Sequence, residues 1–447
     1  MQLDHGTFLK DRALWTQGGL DEETNRFTSN TPNAWRLKTP LYMPSMTKII
    51  FTVPEGVMLR AVLCQKKDSD ATGDVNQDYT FDIPSSKWHL KNREAYAGNT
   101  ENHVMFVVTY EDGRIFDFDE MPVRFYSPEK DFIPDYWVEK LDTVSEKITA
   151  RRAQIESPVE LFYLTDTHWV ESAQRSPAIL NHLSDKLGIK HVVFGGDMIV
   201  RHNKNKDCAI REVSGFFDWL SDDLKVFTTL GNHDRNYSSG NRDLTLRFSE
   251  PESYQIYRMD KADATFAVYE GDPSHGYFDY PEQKVRMVQF YLSDSMFGMP
   301  EDFYVDGALD WVEEKIRELD KDWTVVLFTH ALWRDFHAPD NCILTDKNKQ
   351  IINRILRIKR ESAATLALWI TGHIHKDCYD VLSDGQTELQ IISTTSDGYA
   401  YSFAPNGLRM RPGTDREQCI DCMQMDVKNR TIHFTRIGAG EDRVYQY

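Results

Sequence analysis

Long apolar runs are missing from this sequence of 447 residues. Nowhere does it approach the roughly 18 consecutive apolar residues that mark a membrane-spanning helix, and its first residues, MQLDHGTFLKDRALW, hold no apolar stretch of signal-peptide length. The expectation is a soluble, cytoplasmic protein without an export signal, unless it is carried out of the cell as part of a larger assembly. Cysteine is scarce as well. Cys64, Cys208, Cys342, Cys378, Cys419 and Cys422 are too few for a disulfide framework in a chain this long and read as reduced thiols. Only Cys419 and Cys422 have metal or redox spacing, and with no second pair nearby they read as two positions on one C-terminal strand. Positive charge is in short supply too. A formal net charge of -18 repels polyanions at long range, which disfavours duplex nucleic acid and anionic membranes as partners. A small anionic substrate stays open, because bound cations reverse the field locally.

Several catalytic signatures are also missing. There is no Walker-type phosphate loop and no G-x-S-x-G nucleophile elbow. Gly438-Ala-Gly440 continues into Glu441, Asp442 and Arg443 without the third glycine of a dinucleotide fingerprint, and it opens no βαβ unit. Internal repeats are absent. What remains is ordinary globular material, with 40% hydrophobic, 12% aromatic and 27% charged residues, in a chain long enough for two or three domains.

The organisation follows from where the pattern changes. Residues 1–30, with the Gly18-Gly19 pair and the DEETN run, read as an N-terminal arm. From 31 to 130 short runs such as TKIIFTV, RAVLCQ, HVMFVVTYE and RIFDFD alternate with turn residues, as in a small all-β accessory domain. Trp35, Trp88, Tyr96 and Tyr110 lie there, either in its core or as a surface for a glycan or protein partner. Over 131–157 Trp137, Leu141, Val144, Ile148 and Ile155 recur at helical steps, predicting an amphipathic linker helix. Residues 158–447 form the last domain, in which buried-looking apolar runs alternate with helical segments such as Ile179 to Leu187 and the face of Leu309, Val312, Ile316 and Leu319. That alternation predicts an α/β core with its polar residues at the carboxyl ends of the strands.

Five of those runs end in chemistry: VELFYLTDTH with Asp166 and His168, KHVVFGGD with Asp197, KVFTTLGNHD with Asn232, His233 and Asp234, WTVVLFTH with His330, and LALWITGHIH with His373 and His375. Carboxylate, imidazole and amide oxygen together make a mixed N/O ligand set suited to Mn, Fe, Zn or Ni. An Asp-x-His or His-x-His pair on an extended strand end points both side chains to one side, so two short motifs fill one pocket. Any one of these motifs alone is usually a surface turn. Five in order, each closing an apolar run, are not.

The ordered series D-x-H, G-D, G-N-H-[DE], H and G-H-x-H resembles the calcineurin-like metallophosphoesterase superfamily over residues 158 to 440. The resemblance implies a four-layer αββα sandwich holding a dinuclear centre. One divalent ion would be held by Asp166, His168 and His375 and the other by Asn232, His330 and His373, with Asp197 bridging and His233 as the catalytic histidine. It implies hydrolysis of a phosphoester, a phosphodiester in preference to a monoester, by a hydroxide shared between the two ions, with His233 assisting the leaving group. Asp234 would orient that imidazole or cap the following segment. The purple acid phosphatases of this superfamily carry a Tyr three residues after the G-D aspartate. Here Met198, Ile199 and Val200 follow Asp197, so a Tyr-bound ferric ion is not expected. Arg201, His202, Arg235, His275 and His337 lie within reach of a phosphate but receive no role. The competing reading is a non-catalytic binding or assembly protein, a surface or virion component using the fold as a scaffold. Scaffolds of that kind lose ligands, whereas this series is intact.

Overall fold

The computed structural model divides the chain into two compact units, Met1–Phe132 and Ile133–Tyr447. It describes residues 12–21, 26–29, 31–38, 41–43, 48–52, 56–66, 79–81, 87–90, 94–96, 102–115, 124–126 and 133, and then 135–168, 175–199, 206–236, 244–258, 266–269, 272–291, 307–331, 346–397 and 414–447. Among the described residues no helix is long and apolar enough to cross a membrane.

Among its described residues the first unit is built of β-strands, with one 3-10 turn at Arg12–Leu14. Its central pair, Val57–Lys66 and Asn102–Tyr110, runs antiparallel from Tyr110 opposite Val57 to His103 opposite Cys64, within a seven-stranded sheet. Trp15–Gln17 pairs with Ala34–Leu37 at one edge, and Trp15 is fully buried. A segment expected in the arm therefore contributes to the core, because one large indole supplies enough apolar area to hold a short strand. Trp35 is buried with the Arg12 guanidinium over its ring, and Tyr110 is half-buried beneath Arg114. The side chains of Trp88 and Tyr96 lie outside the described residues. Asn102–Tyr110 closes on an Asp112-Gly113 turn with Gly113 at φ 73°, and Arg114 and Ile115, which open the RIFDFD run, are exposed and outside any strand. The rest of that run lies outside the described residues.

In the second unit, helix α1 (Asp135–Arg152) buries Trp137, Leu141, Val144 and Ile148, the face its sequence period predicts. Two sheets follow. Strands β1 (Val159–Leu164), β2 (His191–Phe194) and β3 (Lys225–Thr228) are parallel and end level, with Leu164 opposite Phe194 and Phe194 opposite Thr228. The other sheet is built from β4 (Ala267–Tyr269), β5 (Asp272–Tyr280), β6 (Val285–Gln289), β7 (Thr324–Phe328), β8 (Thr365–Thr371), β9 (Cys378–Ser383) and β10 (Glu388–Ser393), in the order β4-β5-β6-β7-β8-β10-β9. Strands β11 (Cys419–Asp426), β12 (Thr431–Gly438) and β13 (Arg443–Gln446) return to the first sheet, giving β3-β2-β1-β11-β12-β13.

The sheets face each other across a core of Leu161, Tyr163, Val193, Phe227, Val326, Phe328, Leu368, Ile370, Met423 and Phe434. Alternate residues of β7 and β8, including Val325, Leu327 and Trp369, point the other way, into a second core with α5 (Ala308–Arg317) and α6 (Asp346–Glu361). Burial on both faces explains why these strands read as unbroken apolar runs. On the first sheet α1 packs on β12 and on α2 (Ser176–Leu187), which meets α3 (Lys206–Trp219). Helix, sheet, sheet, helix: the architecture is the expected four-layer α/β sandwich. Cys419 and Cys422 are both buried on β11, and burial pushes the Cys419 thiol up to about 12, so they are structural thiols.

Candidate metal centre

Each motif lies just past a strand end rather than on it. β1 ends at Leu164 and Asp166 follows, β2 ends at Phe194 before Asp197, β3 at Thr228 before Asn232, β7 at Phe328 before His330, and β8 at Thr371 before His373. The extended geometry expected of the Asp-x-His and His-x-His pairs is not found. Asp166, His168, Asp197, His373 and His375 all have left-handed backbone, with φ of 51°, 44°, 54°, 72° and 52°. These five make up half of the non-glycine residues with positive φ among the described residues. Such conformations cost of order 1–3 kcal/mol each, and their concentration here marks a site held against local preference. The tight turns bring both members of each pair into one pocket from a loop.

Backbone bonds lock the loops together. Asp166 N–H donates to the Gly196 carbonyl at 2.8 Å, His168 N–H to Asp197 at 3.0 Å, and Gly372 N–H to His330 at 3.0 Å. His373 N–H donates to Asp166 Oδ2 at 2.9 Å, joining a loop of one sheet to a loop of the other. The motif glycines permit this approach: a Cβ on Gly231 would collide with the Asp197 carboxylate, and one on Gly372 with that of Asp166.

Ligand atoms of Asp166, His168 and His375 lie within 4.8 Å of one another, and so do those of Asp197, His330 and His373. His168 with Asp197 and His233 forms a third such group between them. Asp197 thus belongs to two groups and sits centrally. Asn232 is buried on the loop preceding His233, and its Oδ1 has no hydrogen-bond partner among the described residues; the same holds for Asp166 Oδ1. His233 is 28% exposed at its side chain, more open than Asp166, His168, Asp197, His330 and His375. Its N–H donates to Asp197 Oδ1 at 2.9 Å and its Nε2 stands 3.9 Å from Asp197 Oδ2.

The second ring nitrogens fix the chemistry of the first. His330 Nδ1 is 2.7 Å from the Gly195 carbonyl and His168 Nδ1 is 3.1 Å from that of Ile199. A carbonyl only accepts, so each Nδ1 carries a proton and donates it, and each Nε2 of the neutral ring presents a lone pair inward. His330 Nε2 is 3.1 Å from Asp197 Oδ2, His375 Nε2 is 3.2 Å from Asp166 Oδ1, and the Nε2 atoms of His168 and His375 are 2.9 Å apart. The His330 Nε2 lone pair thus faces a buried carboxylate oxygen, and two buried acceptors require positive charge between them. Burial opposes ionisation of Asp166, yet His330 and His375 hold its carboxyl down to about 2. Burial likewise opposes the His330 imidazolium, which Asp197 and Asp166 hold up to about 10. A proton fills that role when no metal is bound. The donor set fits divalent cations, which would displace it.

One role differs from both expectations. Asp234 neither orients His233 nor caps a helix: its Oδ2 accepts from the N–H groups of Asp197 at 2.8 Å and Gly231 at 2.7 Å, and its Oδ1 from Met198 at 2.7 Å. It staples two ligand loops together. Thr165, which the sequence reading passed over, donates its hydroxyl to Asp166 Oδ2 at 2.7 Å. The position next to a ligand aspartate was the only sequence signal for it. Arg235 and His275 are buried, His275 beside Ser274; Arg201, His202 and His337 lie outside the described residues.

Residues 161–377 match the model of the calcineurin-like phosphoesterase family, so the second unit carries a calcineurin-like phosphoesterase domain. Similar solved structures include a dimetal phosphatase from Danio rerio, 15% identical, covering 64% of this chain and 98% of that one with a TM-score of 0.44. Another is the GAP50 anchor in the inner membrane complex of Plasmodium, 12% identical, covering 63% of this chain and 90% of that one with a TM-score of 0.36. A third is the phosphopantetheinyl hydrolase from Mycobacterium tuberculosis, 13% identical, covering 53% of this chain and 89% of that one with a TM-score of 0.29. The comparison with curated proteins gives no match.

Proposed function

We propose that the protein hydrolyses a phosphoester, a phosphodiester in preference to a monoester, at a centre holding two divalent cations. The observation that carries this reading is that the donor atoms of Asp166, His168 and His375, and those of Asp197, His330 and His373, lie within 4.8 Å of one another in each group, with Asn232 Oδ1 buried and unpaired among the described residues. Those two sets would each hold one ion, Mn, Fe, Zn or Ni, with Asp197 shared. When bound, such a pair lowers the pKa of a water and polarises phosphoryl oxygens. The remaining work falls to the chain. His233, open to solvent and held by its backbone bond to Asp197, is placed to give a proton to the leaving oxygen. Asp234 keeps Asp197 and Asn232 in register by binding the N–H groups on both loops.

The preference for a diester follows from charge. Two divalent cations against the carboxylates of Asp166 and Asp197 leave about two positive charges, which a monoanionic diester and a hydroxide nucleophile neutralise. A dianionic monoester would need a further cationic side chain. The test is hydrolysis of bis-p-nitrophenyl phosphate and p-nitrophenyl phosphate by wild type, Asp197→Ala and His233→Ala. Expected are faster turnover of the diester, loss of metal and activity in Asp197→Ala, and a drop of about 10²–10⁴-fold with metal retained in His233→Ala. A metal-loaded wild type that hydrolyses neither ester would turn the reading toward a binding scaffold.

A further inference from the structure

The donors on the His375 side of the centre come from both sheets. Asp166 and His168 follow β1 of the first, and His375 follows β8 of the second. Any change in the spacing of the sheets changes the reach of His375. The loop that carries it is irregular, with left-handed backbone at His373 and His375.

Two residues beyond His375, Asp377 ties that loop to the opposite sheet. Its Oδ1 accepts from Arg436 Nη2 at 2.9 Å, Arg443 Nη1 at 2.8 Å and the Thr395 N–H at 3.1 Å. Thr395 Oγ1 in turn donates to the His375 carbonyl at 3.0 Å. Arg436, on β12, is only 1% exposed at its side chain and also donates through Nε to Asp421 Oδ1 at 2.8 Å, and Arg443 donates to Asp421 Oδ2. Asp421 lies on β11 directly opposite Tyr163 of β1, the strand that leads into Asp166. Two carboxylates and two guanidinium groups thus form a charge-balanced bridge from the His375 loop to the root of the Asp166 loop. Burying the charges of Arg436 and Asp421, with Asp377 and Arg443 partly buried beside them, brings little net stability compared with apolar packing, so the bridge is better explained by the geometry it imposes.

We infer that Asp377, through Arg436 and Arg443, is a positioning residue that sets the reach of His375 and so the affinity of the Asp166–His168–His375 ion specifically. This rests on the two-metal reading above. Outer groups that orient ligands typically cost about 10–100-fold in metal affinity when removed. The test titrates metal-stripped full-length protein with Co(II) against a chelating indicator, and records the visible spectrum of each ion, in wild type, Asp377→Asn, Arg443→Gln and Ile355→Ala. Ile355 lies on the buried face of α6, away from the centre, and its variant controls for lost stability. Expected for Asp377→Asn is one ion weakened about 10–100-fold with an altered spectrum and the other within about twofold of wild type. Arg443→Gln should shift the same ion, and it carries the test if Asp377→Asn does not fold. Ile355→Ala should bind both ions as wild type does. Two ions bound normally by Asp377→Asn, or both weakened equally, would overturn the inference alone; a wild type that binds no Co(II) would overturn the two-metal reading and the inference with it.

Discussion

Asp234 and Asp397 are both buried carboxylates near the centre, and they do different work. Asp234 accepts three backbone N–H groups from two loops. Asp234→Ala leaves those donors without an acceptor at about 1–3 kcal/mol each, so urea unfolding of the stripped protein should lose several kcal/mol. A loss below about 1 kcal/mol would remove the stapling role. Asp397 accepts from Ser176 Oγ and from the Cys419 N–H, and burial raises its pKa to about 6 from an ordinary 3.8. The folded state therefore binds the proton more tightly than the unfolded one. The associated stability is complete below about pH 4 and is lost as pH rises toward 6. Asp397→Asn keeps an acceptor for the Cys419 N–H and removes the titration. Relative to wild type it should gain about 1–3 kcal/mol between pH 4 and pH 8 in denaturant unfolding, and a pH-independent difference would contradict this. The candidate donors stood out in the sequence, because Asp166, His168, Asp197, His233, His330, His373 and His375 differ chemically from their apolar flanks, and the structure brings them together. The left-handed backbone of Asp166, His168, Asp197, His373 and His375 was not legible there, since a positive φ at Asp or His leaves no mark on residue type. Nor was the role of Asp234, which depends on Met198 and Gly231 being neighbours in space.

At the scale of elements, α5 and α6 illustrate which forces hold the sandwich. Glu313 on α5 pairs with Arg354 and Arg357 on α6, while Ile355 and Val312 pack in the core beneath them. Glu313→Gln should cost about 1 kcal/mol or less, as partly exposed pairs do. Ile355→Ala should cost about 2–5 kcal/mol through lost contact and a residual cavity. Equal costs in urea unfolding would contradict the assignment of stability to the apolar layer. Elements with strong periodicity were the legible ones: α1 through Trp137, Leu141, Val144 and Ile148, and β7 and β8 through runs buried on both faces. Edges were less so. Arg114 and Ile115 open a run of strand composition but stand exposed beyond a turn, and Trp15–Gln17 is a strand because Ala34–Leu37 pairs with it.

At the scale of the whole molecule, the centre joins the two sheets of the second unit, so metal should act on stability as well as on catalysis. Ligands that bind only the folded state stabilise it in proportion to the logarithm of their excess over Kd. Removing metal with a chelator should lower Tm by several degrees, and readdition should restore it. An unchanged Tm in a protein proven to have lost bound metal would show that the sheets are held independently of it. An α/β core was implied by alternating strands and helices and the pairing of two sheets by the resemblance to the calcineurin-like metallophosphoesterases, but the Asp377–Arg436–Asp421–Arg443 bridge between them was not, because its members sit on a loop and three different strands and follow no motif.

The central claim is that the acceptors around Asp197 hold two cations. Elemental analysis of purified full-length protein, repeated after stripping and reloading with Mn or Zn, tests it most directly. The account predicts two metal ions per wild-type chain, with Asp197→Ala retaining at most one. A folded wild type that takes up no metal after reloading would contradict it.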